Sequence, residues 1–335
     1  MKSGKAKILI PIIVILAIIA ICAIGGYLYV KHLYNRMTYK PLDEEDLGID
    51  IVEVEKKKVN IEDYTRFVIF GSDSRDTDNE YAGRSDSIMI ITINNVDKNI
   101  SIISIPRDTY VDVPGYGMTK INHAFAYGQE QLSLKTINTN FGTDLTQYIT
   151  IDFYGLTYTI DRVGGVEVYL DDAEIEYINR RVKEENKIYG GAGNHLLNGT
   201  QALIHSRNRY VGNDFNRASR QRQILIALVN KVINREEKDI LSLVDDLLGN
   251  VTTNMDINKY KEMFTEVAQY RKEYVKDIKS VQIPSTDYGW DSMIDGIYYF
   301  SFDRDQAIKD FNKYYYNIDE TVPETEETVE ETSEQ

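Results

Sequence analysis

Cysteine is almost missing from this 335-residue chain: Cys22 stands alone, inside an apolar run. One cysteine excludes a disulfide framework and a Cys-ligated zinc, and its place in that run excludes a soluble thiol nucleophile. Histidine is scarce as well, with only His32, His123, His195 and His205, and no two have the spacing of metal ligands on one helix. Positive charge is also short, with Lys+Arg 38 against Asp+Glu 53 and a net charge of −15. Such a body lacks the basic face that a general nucleic-acid binder requires. Any chemistry must run on carboxylates, arginines, hydroxyls or a hard metal ion.

The charge that is present is unevenly spread. Residues 1–40 carry six positive side chains and no acid, whereas residues 319–335 carry eight acids and no positive side chain. Ile8 to Val30 is a run of 23 uncharged residues, about 35 Å as a helix and long enough to cross a bilayer core. A cleaved signal peptide has a shorter apolar region and a small-residue cleavage site, so the run reads as an uncleaved transmembrane anchor. Lys2, Lys5 and Lys7 favour the short amino-terminal tail as the cytoplasmic side. This places a cytoplasmic tail at 1–7, the anchor at 8–30, a connector at 31–62, an extracellular domain at 63–318 and a disordered acidic tail at 319–335.

Within the body, short apolar strands are expected at 66–71, 87–93, 99–105, 148–152, 166–170, 281–284 and 297–302. Helical patterns fill 129–141, 153–163, 199–207, 214–234, 238–248, 256–272 and 304–316, with Asn198 and Asp214 as N-caps. Asn198-Gly199-Thr200 matches a glycosylation acceptor, but the cap explains the asparagine better. Helices interleave with solidly apolar strands, which implies a sheet covered on both faces. The expected fold class is α/β, a three-layer αβα sandwich with a mixed central sheet, preceded by one transmembrane helix.

Unusual polar residues concentrate where strands end. Gly71-Ser72-Asp73-Ser74-Arg75 follows one strand, Gly83-Arg84-Ser85-Asp86 precedes another, and Pro106-Arg107-Asp108 follows a third. If strands 87–93 and 99–105 pair antiparallel about the turn 94–98, with 93 opposite 100, then 86 lies opposite 107. Arg84, Asp86, Arg107 and Asp108 then gather at one end of the sheet, and a strand 66–71 running parallel to 99–105 brings Asp73 there too. Carboxyl ends of strands are where such sheets bind ligands.

A second concentration lies downstream. Five of the 16 arginines fall between 207 and 222: Arg207, Arg209, Arg217, Arg220 and Arg222. Positions 217, 221, 224 and 228 form one helical stripe, read Arg, Gln, Ile, Leu. That face should pass from a polar cavity into ordinary core, with Asp214 and the helix N-terminus at the polar end. Arginine forks suit phosphate oxygens and a carboxylate pair suits magnesium, which takes few protein ligands plus phosphate. A surface ion-pair network is the simpler reading of each residue alone; convergence of Arg84, Arg107, Arg207 and Arg217 on one cavity is the geometric condition that separates the two. His123 and His205 read as local hydrogen-bonding residues. The 25 tyrosines fit packing and saccharide contact equally well.

The stretches FVIFGSDSR, GRSDSIMIITIN, ISIISIPRDTYVDVPGYGMTKINHAFAYG, IDFYGLTYTIDRVGGVEV and HLLNGTQALIHSRNRYVGNDFNRASRQRQ resemble, in order, the LytR-CpsA-Psr family of bacterial cell-envelope proteins. The resemblance implies a phosphotransferase that moves a glycopolymer, such as teichoic acid or capsule, from a polyprenyl-pyrophosphate carrier to peptidoglycan at the cell membrane. Carried onto matching positions, it implies a divalent metal, magnesium or alternatively manganese, on Asp73 and Asp86. Arg84 and Arg107 would grip the pyrophosphate from the sheet side, and Arg207, Arg209, Arg217 and Gln221 from the helix side, with Asp214 and Arg220 in support. Asn216 stands where the family commonly has glycine. Arg84, Arg107 and Asp108 are the expected catalytic group, while Asp73, Asp86 and Asp108 all stay open as general base. The competing functions are a lipid-pyrophosphate hydrolase and a non-catalytic module that binds polyprenyl-linked glycan or regulates wall enzymes.

Overall fold

The computed structural model describes residues 38–72, 83–210, 214–235, 249–274, 276 and 278–318. Chain order begins with strand β1 (Thr38–Tyr39), helix α1 (Ile51–Lys56) and β2 (Tyr64–Ser72), followed by β3 (Ser85–Asn94) and β4 (Asn99–Ile105). The ribbon β5 (Tyr110–Val113) and β6 (Gly117–Lys120) leads to α2 (His123–Phe141), β7 (Tyr148–Asp152) and α3 (Phe153–Arg162). Then come β8 (Val166–Leu170), α4 (Asp172–Asn179), β9 (Gly193–Leu197), α5 (Gly199–Ser206) and α6 (Asp214–Ile233). The described chain closes with β10 (Val251–Thr253), α7 (Ile257–Gln269), α8 (Arg271–Tyr274), β11 (Ile278–Gln282), β12 (Gly289–Ile294), β13 (Ile297–Phe302) and α9 (Arg304–Tyr314). The expected anchor at 8–30, helix at 238–248 and tail at 319–335 lie outside the described residues. Among the described residues no helix is long and apolar enough to cross a membrane.

Seven strands form one mixed sheet in the order β1-β10-β7-β2-β3-β4-β11. β3 runs antiparallel to both of its neighbours, so β2 and β4 point the same way. Ile93 lies opposite Ile100 and Ile88 opposite Ile105, the register read from the turn at 94–98. Period-two alternation then divides the strands between two layers. Val68, Phe70, Ile88, Ile90 and Ile103 pack with Leu134, Ile137 and Phe141 of α2 and Phe311 of α9. Phe67, Ile69, Ile91, Ile93, Ile100 and Ile102 pack on the other face with α6 and α7 through Leu225, Ile226, Val229 and Met263. A sheet buried on both sides explains why β3 and β4 read as unbroken apolar runs rather than alternating ones.

Two features depart from the expected outline. The stretch read as a connector contributes to the core: Leu47 is fully buried, and Asn138 Nδ2 donates to its carbonyl at 2.9 Å. The ribbons β5–β6, β8–β9 and β12–β13 stand apart from the main sheet, so the late strand 297–302 belongs to a separate hairpin. Asn198 caps α5 as expected, in a reciprocal capping box with Gln201, and Asp214 is the first residue of α6. A third apolar cluster joins α3, α4, α5 and the β8–β9 ribbon to Ile224, Leu228 and Val232 of α6. α6 therefore serves two cores at once, and the space between them holds the site.

Candidate active site

A cavity of about 680 Å³ lies between the sheet, α3, α5 and α6, within the range of small-molecule sites. One end is apolar, lined by Ile69, Met89 and Ile149 of the sheet, Leu156 of α3, Ile204 of α5 and Leu228 of α6. The other end is lined by Asp86, Arg207, Arg209, Arg217 and Gln221. The stripe on α6 runs as its spacing predicts, with Arg217 and Gln221 at the polar end and Ile224 and Leu228 leading into the apolar one. Gly199 keeps the wall closed, because a Cβ there would sit 2.2 Å from the Thr157 carbonyl oxygen.

Arg207 and Arg209 reach the cavity because the turn between α5 and α6 is pinned. Asn208 is fully buried between them, and its side-chain oxygen accepts from the Tyr210 amide at 3.0 Å. Its carbonyl accepts from Arg220 Nη1 at 3.1 Å. Arg220, 5% exposed, also donates to Glu174 of α4 at 2.5 Å. Its role is therefore structural: one residue before Gln221, it points about 100° around α6 from it and ties the arginine-bearing turn to the body. Arg207 also lies over the Phe153 ring at 4.3 Å, at the boundary between the polar and apolar ends.

The strand register places Asp86 beside Arg107, and Arg107 Nη1 donates to Asp86 Oδ1 at 2.7 Å. Arg107 Nε donates to Asp108 at 3.2 Å, and Lys120 of β6 donates to the other Asp108 oxygen at 2.7 Å. Burial works to raise the Asp108 pKa, but Lys120 and Arg107 together outweigh it and hold the carboxyl below its ordinary range. Arg107 and Asp108 do not line the large cavity. They line a small recess that shares Asp86, Ser87, Arg217 and Gln221 with it, roofed by Tyr298 and Phe300 of the β12–β13 hairpin.

The four arginines named for convergence do not share one cavity: Arg207 and Arg217 line the large one and Arg107 only the adjoining recess, the two spaces meeting at Asp86, Arg217 and Gln221. Arg84 lines neither space; it precedes the first residue of β3 and is exposed. Its charge instead bears on His123, whose pKa is lowered by burial first and then by Arg84 and Lys120. Asp73 lies outside the described residues, though Ser72 before it pairs with Ser85, the residue before Asp86. The side chain of Asp214 is likewise outside what is described. Conversely, Tyr177 and Arg181 of the α4 region line the cavity, with the Arg181 guanidinium 3.5 Å from the Tyr177 ring centroid. Their i, i+4 spacing is the only sequence signal they carry, and surface pairs share it. Among the described residues no group of three or more His, Cys, Asp or Glu side chains is placed to hold a metal ion.

The fold and site define a class: a three-layer α/β protein with a cavity whose lining joins Asp86, Arg207, Arg209, Arg217 and Gln221 to apolar side chains of the sheet, α3, α5 and α6. The chain belongs to the LytR_cpsA_psr family, whose match spans residues 34–314. It is 31% identical over 297 residues to the polyisoprenyl-teichoic acid–peptidoglycan teichoic acid transferase TagU of Bacillus mycoides, covering 85% of this chain and 90% of that protein. TagU of Enterococcus faecalis is 29% identical, covering 92% and 95%. Among solved structures, Bacillus subtilis TagV is 28% identical with a TM-score of 0.62, covering 75% of this chain and 96% of that one. TagT bound to LI-WTA is 27% identical with a TM-score of 0.62, covering 76% and 90%.

Proposed function

We propose that this chain is a glycopolymer phosphotransferase, moving a teichoic-acid-type polymer from a polyprenyl-pyrophosphate carrier to peptidoglycan. The observation that carries this reading is the change of lining along one cavity, from Asp86, Arg207, Arg209, Arg217 and Gln221 to an apolar end. A prenyl chain fits the apolar end and a pyrophosphate the arginine end. The names of the TagU relatives support the same reaction. The uncharged run 8–30 supports a membrane anchor with the amino terminus cytoplasmic and the domain outside, where both carrier lipid and peptidoglycan are met.

In the reaction an acceptor hydroxyl attacks the sugar-side phosphorus. A new oxygen–phosphorus bond forms, the bridging bond of the pyrophosphate breaks, the hydroxyl proton passes to a base, and prenyl monophosphate leaves. Arg207, Arg209 and Arg217 hold the phosphate oxygens and offset the charge that shifts onto the leaving group. Gln221 adds a neutral donor beside them. Arg107, oriented by Asp108 and paired with Asp86, extends this positive lining on the far side of the shared wall. Because Lys120 and Arg107 lower its basicity, Asp108 serves as an orienting group, which leaves Asp73 and Asp86 as candidate bases. Asp86 lines the phosphate end, and with Asp73, which lies outside the described residues, it would make a carboxylate pair of the kind magnesium takes beside substrate phosphates. A divalent ion held there supplies further charge neutralisation.

The test is turnover by the full-length protein in detergent with a prenyl-pyrophosphate-linked glycan, magnesium and peptidoglycan oligomers. Glycan attached to the oligomer through a phosphodiester is the expected product. Release of free glycan phosphate with the acceptor untouched would replace the proposal with a hydrolase, and binding without turnover would replace it with a carrier module.

A further inference from the structure

Outside the cavity, the most unusual surface feature is a pair of exposed tyrosines. Tyr116, 57% exposed, and Tyr127, 40% exposed, stack with ring centroids 4.4 Å apart and planes 19° from parallel. Two separate backbone devices bring them together. Tyr116 sits at the tip of the β5–β6 ribbon between Gly115 and Gly117, both at positive φ (84° and 75°), a conformation that favours glycine. Tyr127 ends the first turns of α2, which are set off from the remainder by non-helical Gly128 and Gln129. Gln129 holds a φ of 53° and ψ of −145° without being glycine, the kind of backbone strain that persists only where the surroundings impose it.

The stack is connected to the phosphate end by an unbroken series of contacts. Tyr127 meets His123 with ring centroids 5.8 Å apart, and His123 Nδ1 shares a hydrogen bond of 2.9 Å with Thr119 Oγ1. Lys120, the next residue, reaches Asp108, Asp108 reaches Arg107, and Arg107 reaches Asp86. Arg84, left out of the donor cavity, adds its charge at His123. Neither tyrosine lines the donor cavity. Neither lines the Arg107 recess either, so the stack is joined to Asp86 through the Lys120–Asp108–Arg107 ion pairs. A transfer reaction requires a second substrate whose hydroxyl can come in line with the leaving group, and the stack offers an exposed ring face at the far end of that ion-pair series.

We propose that Tyr116 and Tyr127, with His123 and Arg84 beside them, form the acceptor subsite, which binds a glycan strand of peptidoglycan by stacking a sugar ring on the exposed tyrosine face. The axial C–H bonds of a pyranose are slightly positive and meet the negative face of an aromatic ring. The neighbouring imidazole and guanidinium provide donors for hydroxyl and carboxylate oxygens of the strand. The proposal rests on the transferase reading, so the test must separate the two.

Binding of a peptidoglycan tetrasaccharide to the full-length protein is measured by calorimetry, in parallel with acceptor and donor KM in the transfer assay. The double variant Tyr116→Ala/Tyr127→Ala is expected to weaken tetrasaccharide binding and raise acceptor KM on the order of tenfold, the usual scale for removing an aromatic stacking face, with donor KM unchanged. Tyr116→Phe/Tyr127→Phe keeps the ring faces and is expected to retain both. Equal binding by wild type and the alanine variant overturns the subsite, as does a lowered melting temperature with acceptor KM unchanged, which is what a purely stabilising stack predicts. Wild type that binds tetrasaccharide through the two tyrosines but transfers nothing upholds the subsite and sinks the transferase.

Discussion

Replacing Arg220 with methionine removes a guanidinium that is 5% exposed and leaves Glu174, 9% exposed, without its partner. The Arg220–Glu174 contact is 2.5 Å, so the pair is close and dry on both sides. Breaking a buried pair from one end typically costs about 3–5 kcal/mol, because the abandoned charge stays buried. At roughly 2–4 °C per kcal/mol for a domain of this size, the melting temperature should fall by about 6–20 °C. Glu174→Gln is the matched change. Its remaining oxygen can still accept from the Asp171 amide, as Glu174 does at 3.2 Å, so the cap of α4 is kept while the charge is removed. The double variant should be more stable than the two single losses add up to, by about 1–3 kcal/mol. Activity supplies a second readout. Without Arg220 the Asn208 carbonyl loses the donor that fixes the turn between Arg207 and Arg209, and misplacement of such groups by an ångström costs about 10²-fold. Thermal unfolding followed by circular dichroism, with transfer kinetics at a temperature where every variant is folded, measures both. A loss below about 1 kcal/mol for Arg220→Met, the behaviour of an exposed pair, would refute the argument that Arg220 pins the cradle.

Three further outcomes are expected. Arg217→Ala should lower kcat by about 10²–10³, as loss of one charge-stabilising contact typically does, and Arg217→Lys should recover only part because a lysine cannot present the guanidinium fork; an unchanged kcat would remove Arg217 from the cradle. Arg84→Ala should raise the His123 pKa as followed by NMR, since Arg84 and Lys120 lower it while Asp108 opposes them. The depressed value means that His123 contributes stability above the ordinary imidazole range, lost as pH falls through its folded-state value; the Arg84→Ala protein should lose less on acidification, and an unmoved resonance would place Arg84 elsewhere. Leu47→Ala should cost about 2–5 kcal/mol in a denaturant titration, the usual loss for a buried leucine, because its side chain is fully enclosed; a mutation in a mere connector would cost almost nothing.

Much of the site was legible because local geometry carries it. A five-residue turn between two apolar strands sets the pairing of Ile93 with Ile100, and the same register brings Asp86 to Arg107 at 2.7 Å. Helical periodicity alone put Arg217, Gln221, Ile224 and Leu228 on one wall. Arg84 shows where this reasoning stops. Hairpin register fixes residues inside the ladder, whereas Arg84 precedes it, and nothing in a strand's period sets the direction of a side chain before its first pair. Arg220 and Gln221 are adjacent in the arginine-rich run, yet the helical turn sends one to Glu174 and the other to the cavity.

The sequence by itself determined the α/β class, the capped helices, the register at the polar end and the family, because these depend on composition, period and spacing over short distances. It determined the sparse chemistry as well, since a chain with one cysteine and four histidines has few other groups to use. Only the tertiary structure decided where the apolar part of the cavity lies, for its walls come from Ile69, Leu156, Ile204 and Leu228, which meet through packing and have no shared spacing. The pinning of Arg207 and Arg209 through Arg220, the stack of Tyr116 on Tyr127 and the burial of Leu47 were likewise decided there. Leu47 meets Asn138 and Arg220 meets Glu174 across long stretches of sequence, while Tyr116 and Tyr127 meet through the ribbon tip and the break in α2; no local period sets any of these contacts.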